Sequence, residues 1–356
     1  MLAQLPVEII DQVIERLFLV DIRAIACVCS ALRPLAVLRL FRTIRIRSLA
    51  ETDDTTTSHT EAILSHPHLL RCASRLIVEE PQPPFQAPLH QREVSIHSLW
   101  SHLPMMHRLT YLELDLGPSN EAIGLSTLAG LGLTKEIELN LRLPLTPDLV
   151  ISDKPLPVRS LSIPVDTTGD QLARRLLQKC SQSLRELRLF IQMNGVPSIP
   201  PLPHLCELSL HAVFLGDNTD LALWFPFLEQ HPTITRLSVD TRYTLAVPTP
   251  PNVLPNLQSI KASKMVTERL IPSRPVHDVR VEWYCYTSSQ IFVDIMSRVL
   301  RLSDVPLTIL QITTYHTVRS EELIKIVQTL PKLRKFTLDK PRYEVCQLFK
   351  GRSVHI

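Results

Sequence analysis

Glycine is scarce in this chain. Its 356 residues include only 8 Gly, against an ordinary usage of about 7%, whereas the 29 Pro exceed the ordinary ~5%. Few glycines leave few places where backbone can wrap a phosphate. Gly130-Leu131-Gly132 has no further glycine until Gly169, so it is no dinucleotide-binding turn. The sequences H-E-x-x-H and G-x-S-x-G and the Walker phosphate loop are all missing, and no converging catalytic set replaces them. Excess charge is missing too: +3 gives no electrostatic case for nucleic acid. The seven cysteines form no C-x-x-C and no even framework, as expected of reduced thiols in a cytoplasmic or nuclear protein. No apolar run reaches the roughly 18 residues of a membrane span, and Glu8 and Asp11 interrupt any leader-like pattern at the N-terminus. The expectation is a chain without catalytic residues, cofactor, metal, nucleic-acid or membrane partner.

Weak exceptions have plainer readings. His66-Pro67-His68 offers two imidazoles where zinc needs four ligands, and His97, His102 and His107 scatter around a helix. Arg39, Arg42, Arg45 and Arg47 form the one basic cluster. Alternation of its last members with Ile44 and Ile46 predicts a strand with one wet face. Cys27 and Cys29 read as small buried packing residues. Trp224-Phe225-Pro226-Phe227 and Trp283-Tyr284-Cys285-Tyr286 read as core aromatics.

The first thirty residues are the most informative. Over residues 6–17, Ile9, Ile10, Val13, Ile14 and Leu17 form one broad helical stripe, with Glu8, Asp11, Gln12, Glu15 and Arg16 opposite. Asp21 is an apt N-cap for a second helix to about Cys29, and Ser30 for a third to about Phe41, with Pro34 in its first turn. Three short helices cannot bury so broad a stripe alone, so part of it must face a partner. Leu5-Pro6-x-Glu8-Ile9-Ile10, the helix ending at Leu17, the Asp21-Ile22 step and Val28-Cys29 together resemble the F-box at its usual spacing. Leu32 stands where that family often has Trp.

Residues 51–60 carry no apolar side chain and read as a loop or linker. From about residue 70 a unit apolar-x-x-apolar-x-apolar recurs. Strong copies are Leu109/Leu112/Leu114, Val158/Leu161/Ile163, Leu184/Leu187/Leu189, Leu205/Leu208/Leu210, Ile234/Leu237/Val239, Val276/Val279/Val281, Leu307/Leu310/Ile312 and Leu333/Phe336/Leu338. Thr134/Ile137/Leu139 and Leu257/Ile260/Ala262 are weaker. The spacing, about 25 residues, lies in the leucine-rich-repeat range of roughly 20–29. Helix-like segments precede several copies: Ser95–His107, Gln171–Cys180, Leu221–Gln230, Phe292–Leu302 and Glu321–Leu330. The core resembles the leucine-rich-repeat family, but the Asn or Cys usual three positions past the last leucine is replaced by Gly117, Arg142 and Val213 in three units.

The resulting fold expectation is α/β: a short N-terminal three-helix F-box over 1–45, a linker and lead-in segment over 46–69, and an irregular leucine-rich-repeat solenoid over 70–356. Its strands would be parallel and its helices on the outer face, closest to the degenerate repeats of fungal F-box proteins. In such strands the residues between leucines point outward. They give a candidate client-binding face of Glu113, Asp115, Glu138, Asn140, Arg188, Phe190, His211, Asp240, Arg280 and Glu282, with an acidic cluster at Glu113, Asp115, Glu136 and Glu138. The resemblance implies a substrate-receptor subunit of a Skp–cullin–F-box E3 ubiquitin ligase. The F-box would dock on the Skp-type linker subunit, and through it a cullin, while the repeats hold a protein client. Carried over by position, the linker-binding residues are Leu5, Pro6, Glu8, Ile9, Ile10, Val13, Ile14, Leu17 and Val28. The alternatives are an F-box scaffold acting outside a cullin complex and, more remotely, an enzyme with an unrecognised site.

Overall fold

Short helices lead into a succession of parallel strands. A computed structural model describes residues 6–47, 65–79, 103–115, 137–141, 155–165, 170–191, 196–212, 219–240, 243–283, 300, 302–314, 324, 328–339 and 354–355. The chain is α/β, with twelve parallel strands and seven helices among these residues. The strands fall in two compact units. The first comprises Met1–Pro164 with Gln171–Ser183, the second Val165–Asp170 with Leu184–Ile356.

In the first unit, α1 (Val7–Arg16) follows Pro6, whose carbonyl accepts the amides of Ile9 and Ile10. Leu17 and Phe18 are both extended and end the helix. Helix α2 (Leu19–Val28) then starts two residues before the expected cap: Asp21 lies inside its first turn, where its charge suits the helix dipole. Helix α3 (Arg33–Leu40) starts after Leu32 rather than Ser30, with Pro34 in its first turn, where the missing N–H costs nothing. The three helices enclose Ile10, Ile14, Ile22, Leu32 and Ala36, with Leu17, Ile25, Ala26, Cys29, Leu35 and Leu40 packed around them. Leu32 is buried, 8% exposed.

Helix α3 runs into β1 (Thr43–Arg47), which pairs with β2 (Arg75–Glu79). Ile44 and Ile46 are buried in β1, the half-buried strand that the alternation predicts; residues 51–60 lie outside the described residues. After β2 come β3 (Tyr111–Asp115), β4 (Ile137–Leu141) and β5 (Val158–Val165), each parallel to the one before. Helix α4 (Pro67–Leu70) precedes β2. Helix α5 (Asp170–Cys180) buries Leu172, Ala173, Leu176, Leu177 and Cys180 at helical spacing. Of the expected Ser95–His107 helix, the described part is one 3-10 turn, Leu103–Met105.

The second unit holds β6 (Glu186–Ile191), β7 (Glu207–Ala212), β8 (Thr219–Asp220), α6 (Phe225–Gln230), β9 (Arg236–Val239), β10 (Tyr243–Thr244), β11 (Ser259–Ser263), α7 (Lys264–Leu270), β12 (Asp278–Trp283), β13 (Ile309–Thr314) and β14 (Lys335–Asp339). Strands β6, β7, β9, β11, β12, β13 and β14 pair in that order, all parallel. Strand β15 (Val354–His355) adds antiparallel to β14, and β8 pairs with β10 apart from the main ladder. The cores align as the spacing predicts: Leu187 with Leu208, Leu208 with Leu237, Leu237 with Ile260, Ile260 with Val279, Val279 with Leu310 and Leu310 with Phe336. Trp224 and Phe227 are buried core residues, their rings edge to face at 5.8 Å.

One register differs from expectation. Leu139 and Leu141, not Ile137 and Leu139, lie beside Leu112 and Leu114, and a bulge follows Ile137 on the β5 side. A second feature recurs along the strands. The residue just before a strand reaches back to the carbonyl one turn earlier: Ser74 Oγ donates to Arg42 (3.3 Å) and Thr110 Oγ1 to Ser74 (3.1 Å). In the second unit Cys206 Sγ donates to Arg185, Thr235 Oγ1 to Cys206 and Thr308 Oγ1 to His277. Each of these carbonyls also accepts two backbone amides from the following strand, so the side chain reinforces a junction that the backbone has already made.

Candidate docking surface

The stripe of α1 divides in two. Ile10 and Ile14 turn inward, Ile14 being only 2% exposed, and Leu17 is half-buried against the same core. They hold the helices together, so only the rest of the stripe is open to a partner, as expected of a stripe too broad for three helices to bury alone. Ile9 and Val13, one turn apart on the other flank, are exposed. Glu8 and Pro6 are exposed at the start of α1, and Val28 is 83% exposed at the end of α2. Leu5 lies outside the described residues.

Three further residues join this surface that periodicity passes over. Phe18 is 81% exposed, and Leu19 and Val20 are also open. The signal was present as the run Leu17-Phe18-Leu19-Val20, but extended backbone at Leu17 and Phe18 removes it from either helix's pattern. Exposed large apolar side chains scattered singly mean little; six within residues 9–28 form a concentration that calls for a cover.

Of the two neighbouring cysteines, one departs from the expected burial. Cys27 is exposed rather than buried, while Cys29 packs on the helical core. The arginines do not present one free basic face. Arg39 and Arg42 both bind Glu15 Oε1, at 3.4 and 3.1 Å, and Arg45 pairs with Glu79 at 3.5 Å. His66 and His68 stand edge to face at 5.7 Å, and no group of three or more potential ligands gathers among the described residues.

The candidate client face is more committed than its polarity suggests. In the first unit Glu113 is buried, flanked in register by Ile77 and Asn140, and accepts the Tyr111 hydroxyl at 2.6 Å. Burial, and then the bond to Glu113, push the Tyr111 hydroxyl upward from its ordinary pKa, so it stays a donor. Glu113 is therefore a poor lure for a basic client. Glu138 is exposed and Asn140 and Asp115 half-exposed; Glu136 lies outside the described residues. In the second unit Lys261 pairs with Glu282 at 3.0 Å, Arg236 with Glu207 at 3.0 Å, and Arg280 with Asp278 at 3.3 Å. Gln311 donates to Asp339. His211 stacks on Phe190 at 5.1 Å and 19°. Burial lowers the His211 pKa first, Lys261 and Arg188 lower it further, and Asp240 and Glu282 oppose them. Arg188 is exposed and Asp240 half-buried.

Two buried polar side chains organise the second unit, and neither was legible as a motif. His231 donates from Nδ1 to the Phe227 carbonyl at 2.7 Å and accepts the Leu202 amide on Nε2 at 3.0 Å. Both bonds require the neutral ring, and burial lowers its pKa accordingly. Arg274, 2% exposed, donates to the carbonyls of Pro250, Val253 and Pro272 at 2.8–3.0 Å. Among the described residues no helix is long and apolar enough to cross a membrane. Comparison with protein-family models finds no match for this chain, and comparison with curated proteins finds no significant relative.

Proposed function

We propose that this protein is a substrate-receptor subunit of a Skp–cullin–F-box ubiquitin ligase: the N-terminal helices dock on a Skp-type linker subunit and the repeated strands carry a protein client. One observation carries the reading. Helices that already share a closed core still leave Ile9, Val13, Phe18, Leu19, Val20 and Val28 in water. That is the arrangement of a docking module whose remaining apolar surface is sealed by a second polypeptide. Within the proposed linker-binding set, Pro6, Glu8, Ile9, Val13 and Val28 keep their contact role, joined by Phe18, Leu19 and Val20. Ile10, Ile14 and Leu17 support them from behind. The parallel strands, with apolar residues inward and polar residues outward, suit a binding surface in the manner of leucine-rich repeats. Ubiquitin transfer would belong to other subunits.

The test is co-expression of the full chain with a Skp-type linker, followed by size-exclusion chromatography and probing for cullin. A stoichiometric complex that captures cullin is the expected result. A chain that elutes alone removes the F-box reading, and a linker complex that excludes cullin leaves a scaffold.

A further inference from the structure

The first unit contains a cleft of about 420 Å3 lined by Leu19, Arg39, Leu40, Arg42, Thr43 and Arg75. Three of its six lining residues are arginines, and each is held. Arg39 and Arg42 share one oxygen of Glu15, which sets their guanidiniums side by side; Arg39 also donates to the Glu15 backbone carbonyl at 3.3 Å. The Arg75 guanidinium lies over the Tyr111 ring, 4.3 Å from its centroid. Ser74, beside Arg75, donates to the Arg42 carbonyl and ties the two backbones together. Three arginines line the cleft and one carboxylate, Glu15, pairs with two of them, so its surroundings carry an excess of two positive charges beside Leu19 and Leu40.

We infer that this cleft binds a phosphomonoester carried on a short peptide segment. A phosphate ester bears close to two negative charges at pH 7 and three strong acceptor oxygens, which suits the excess charge and the arginine lining. A carboxylate, with one charge, would leave part of that excess uncompensated. Leu19 and Leu40 give an apolar neighbour of the phosphorylated residue somewhere to lie. Nucleic acid fits less well, because it needs basic groups along a track. Here the next arginine, Arg45, is already paired with Glu79. The volume, near the lower end of the roughly 300–1,000 Å3 of small-ligand clefts, suits a side chain and its neighbours. This site stands on the arginines; it shares Leu19 with the proposed linker surface, so it is tested on the chain without a linker subunit.

The test is fluorescence anisotropy with the full chain and three probes: the peptide Ala-Leu-phosphoSer-Leu-Ala, its unphosphorylated form, and a short single-stranded DNA. The phosphopeptide is expected to bind at least about tenfold tighter than the serine form, and inorganic phosphate to compete with it. Arg42→Gln and Arg75→Gln each weaken it by about tenfold, and Arg45→Gln leaves it unchanged. Glu15→Gln removes the internal competitor and tightens binding, a gain that misfolding cannot produce. Equal affinity for the two peptides, tighter binding of the DNA, or a Glu15→Gln variant weaker than the parent overturns the inference.

Discussion

Phe18 and Ile14 lie four residues apart, and the structure gives them opposite work. This makes a crossed prediction. A phenylalanine side chain buries about 150–250 Å2 when fully covered. With Phe18 81% exposed, a partner can remove about 120–200 Å2, a gross gain of about 3–5 kcal/mol. Part of that offsets ordering and imperfect contact. The net loss expected for Phe18→Ala is therefore about 2 kcal/mol, roughly thirtyfold in affinity for the linker subunit. Its effect on the free protein should stay within about 0.5 kcal/mol, because the ring touches little there. Ile14→Ala should do the reverse. It empties a site 2% exposed at the centre of α1–α3 and should cost about 2–5 kcal/mol of local stability. A chain of two compact units gives no single unfolding free energy, so the readout is amide hydrogen exchange over residues 7–40, paired with calorimetric titration of the linker. Phe18→Ala should exchange like the parent and bind poorly, whereas Ile14→Ala should exchange faster throughout the three helices. A Phe18→Ala variant that binds the linker as tightly as the parent would refute the reasoning. So would one that loses protection as Ile14→Ala does, since the ring would then be core.

Other expectations concern the second unit and the thiols. His231 keeps a depressed pKa when folded, so above about pH 6.5 both folded and unfolded chains hold it neutral. Below that, the unfolded chain takes up the proton and the folded one resists; stability falls as pH drops and levels out beneath the folded value. Thermal midpoints between pH 7.5 and 5 should show this loss in the parent and a smaller slope in His231→Gln; equal slopes would remove His231 as the cause. Arg274→Met strips the carbonyls of Pro250, Val253 and Pro272 of a buried donor and should destabilise the second unit by about 3–5 kcal/mol, read as faster exchange over 243–283. Unchanged exchange would show that water replaces the guanidinium there. Iodoacetamide at pH 8 should label Cys27 in the native protein and spare Cys180, whose thiol burial pushes up to about 12. Equal labelling rates would mean that α5 opens readily.

The strands were legible because one rule governs each: leucine-like residues two apart, inward, recurring at the length of one turn. The rule fails where the alternation runs long. Ile137, Leu139 and Leu141 offer two equally apolar frames, and pairing with Leu112 and Leu114 selects the later one. The α1 stripe was ambiguous for a related reason. Ile9-Ile10 and Val13-Ile14 are adjacent pairs about 100° apart on the helix, so the sequence defines a wide face without saying which edge turns inward. Contact with Ile22, Leu32 and Ala36 decides it. The helix caps went astray because an apt side chain is not required: Phe18 and Leu32 precede α2 and α3 without any side-chain bond to the freed amides. Single buried polar residues such as His231 and Arg274 have no period at all. Besides near neighbours such as Phe227 and Pro272, their partners are backbone groups 21–29 residues away, Leu202, Pro250 and Val253, which no pattern marks.

The two surfaces also differ in what they have left to give a partner. On the described part of the sheet face, Lys261, Glu282, Arg236, Glu207, Arg280 and Asp278 are already matched across or along the strands. A charged client would have to replace those pairs rather than add to them, and partly exposed pairs are each worth at most about 1 kcal/mol. Charge is thus a weak basis for selection there. Phe190 and His211 are different: a neutral imidazole stacked on a phenyl ring makes a flat apolar platform, with the exposed Arg188 beside Phe190 on β6. Aromatic and arginine side chains concentrate binding energy when covered. On the proposed reading, recognition of a client centres on that platform and the paired charges around it set only orientation. On the same reading the exposed apolar residues of the helices, Ile9, Val13, Phe18, Leu19, Val20 and Val28, would supply the constant attachment.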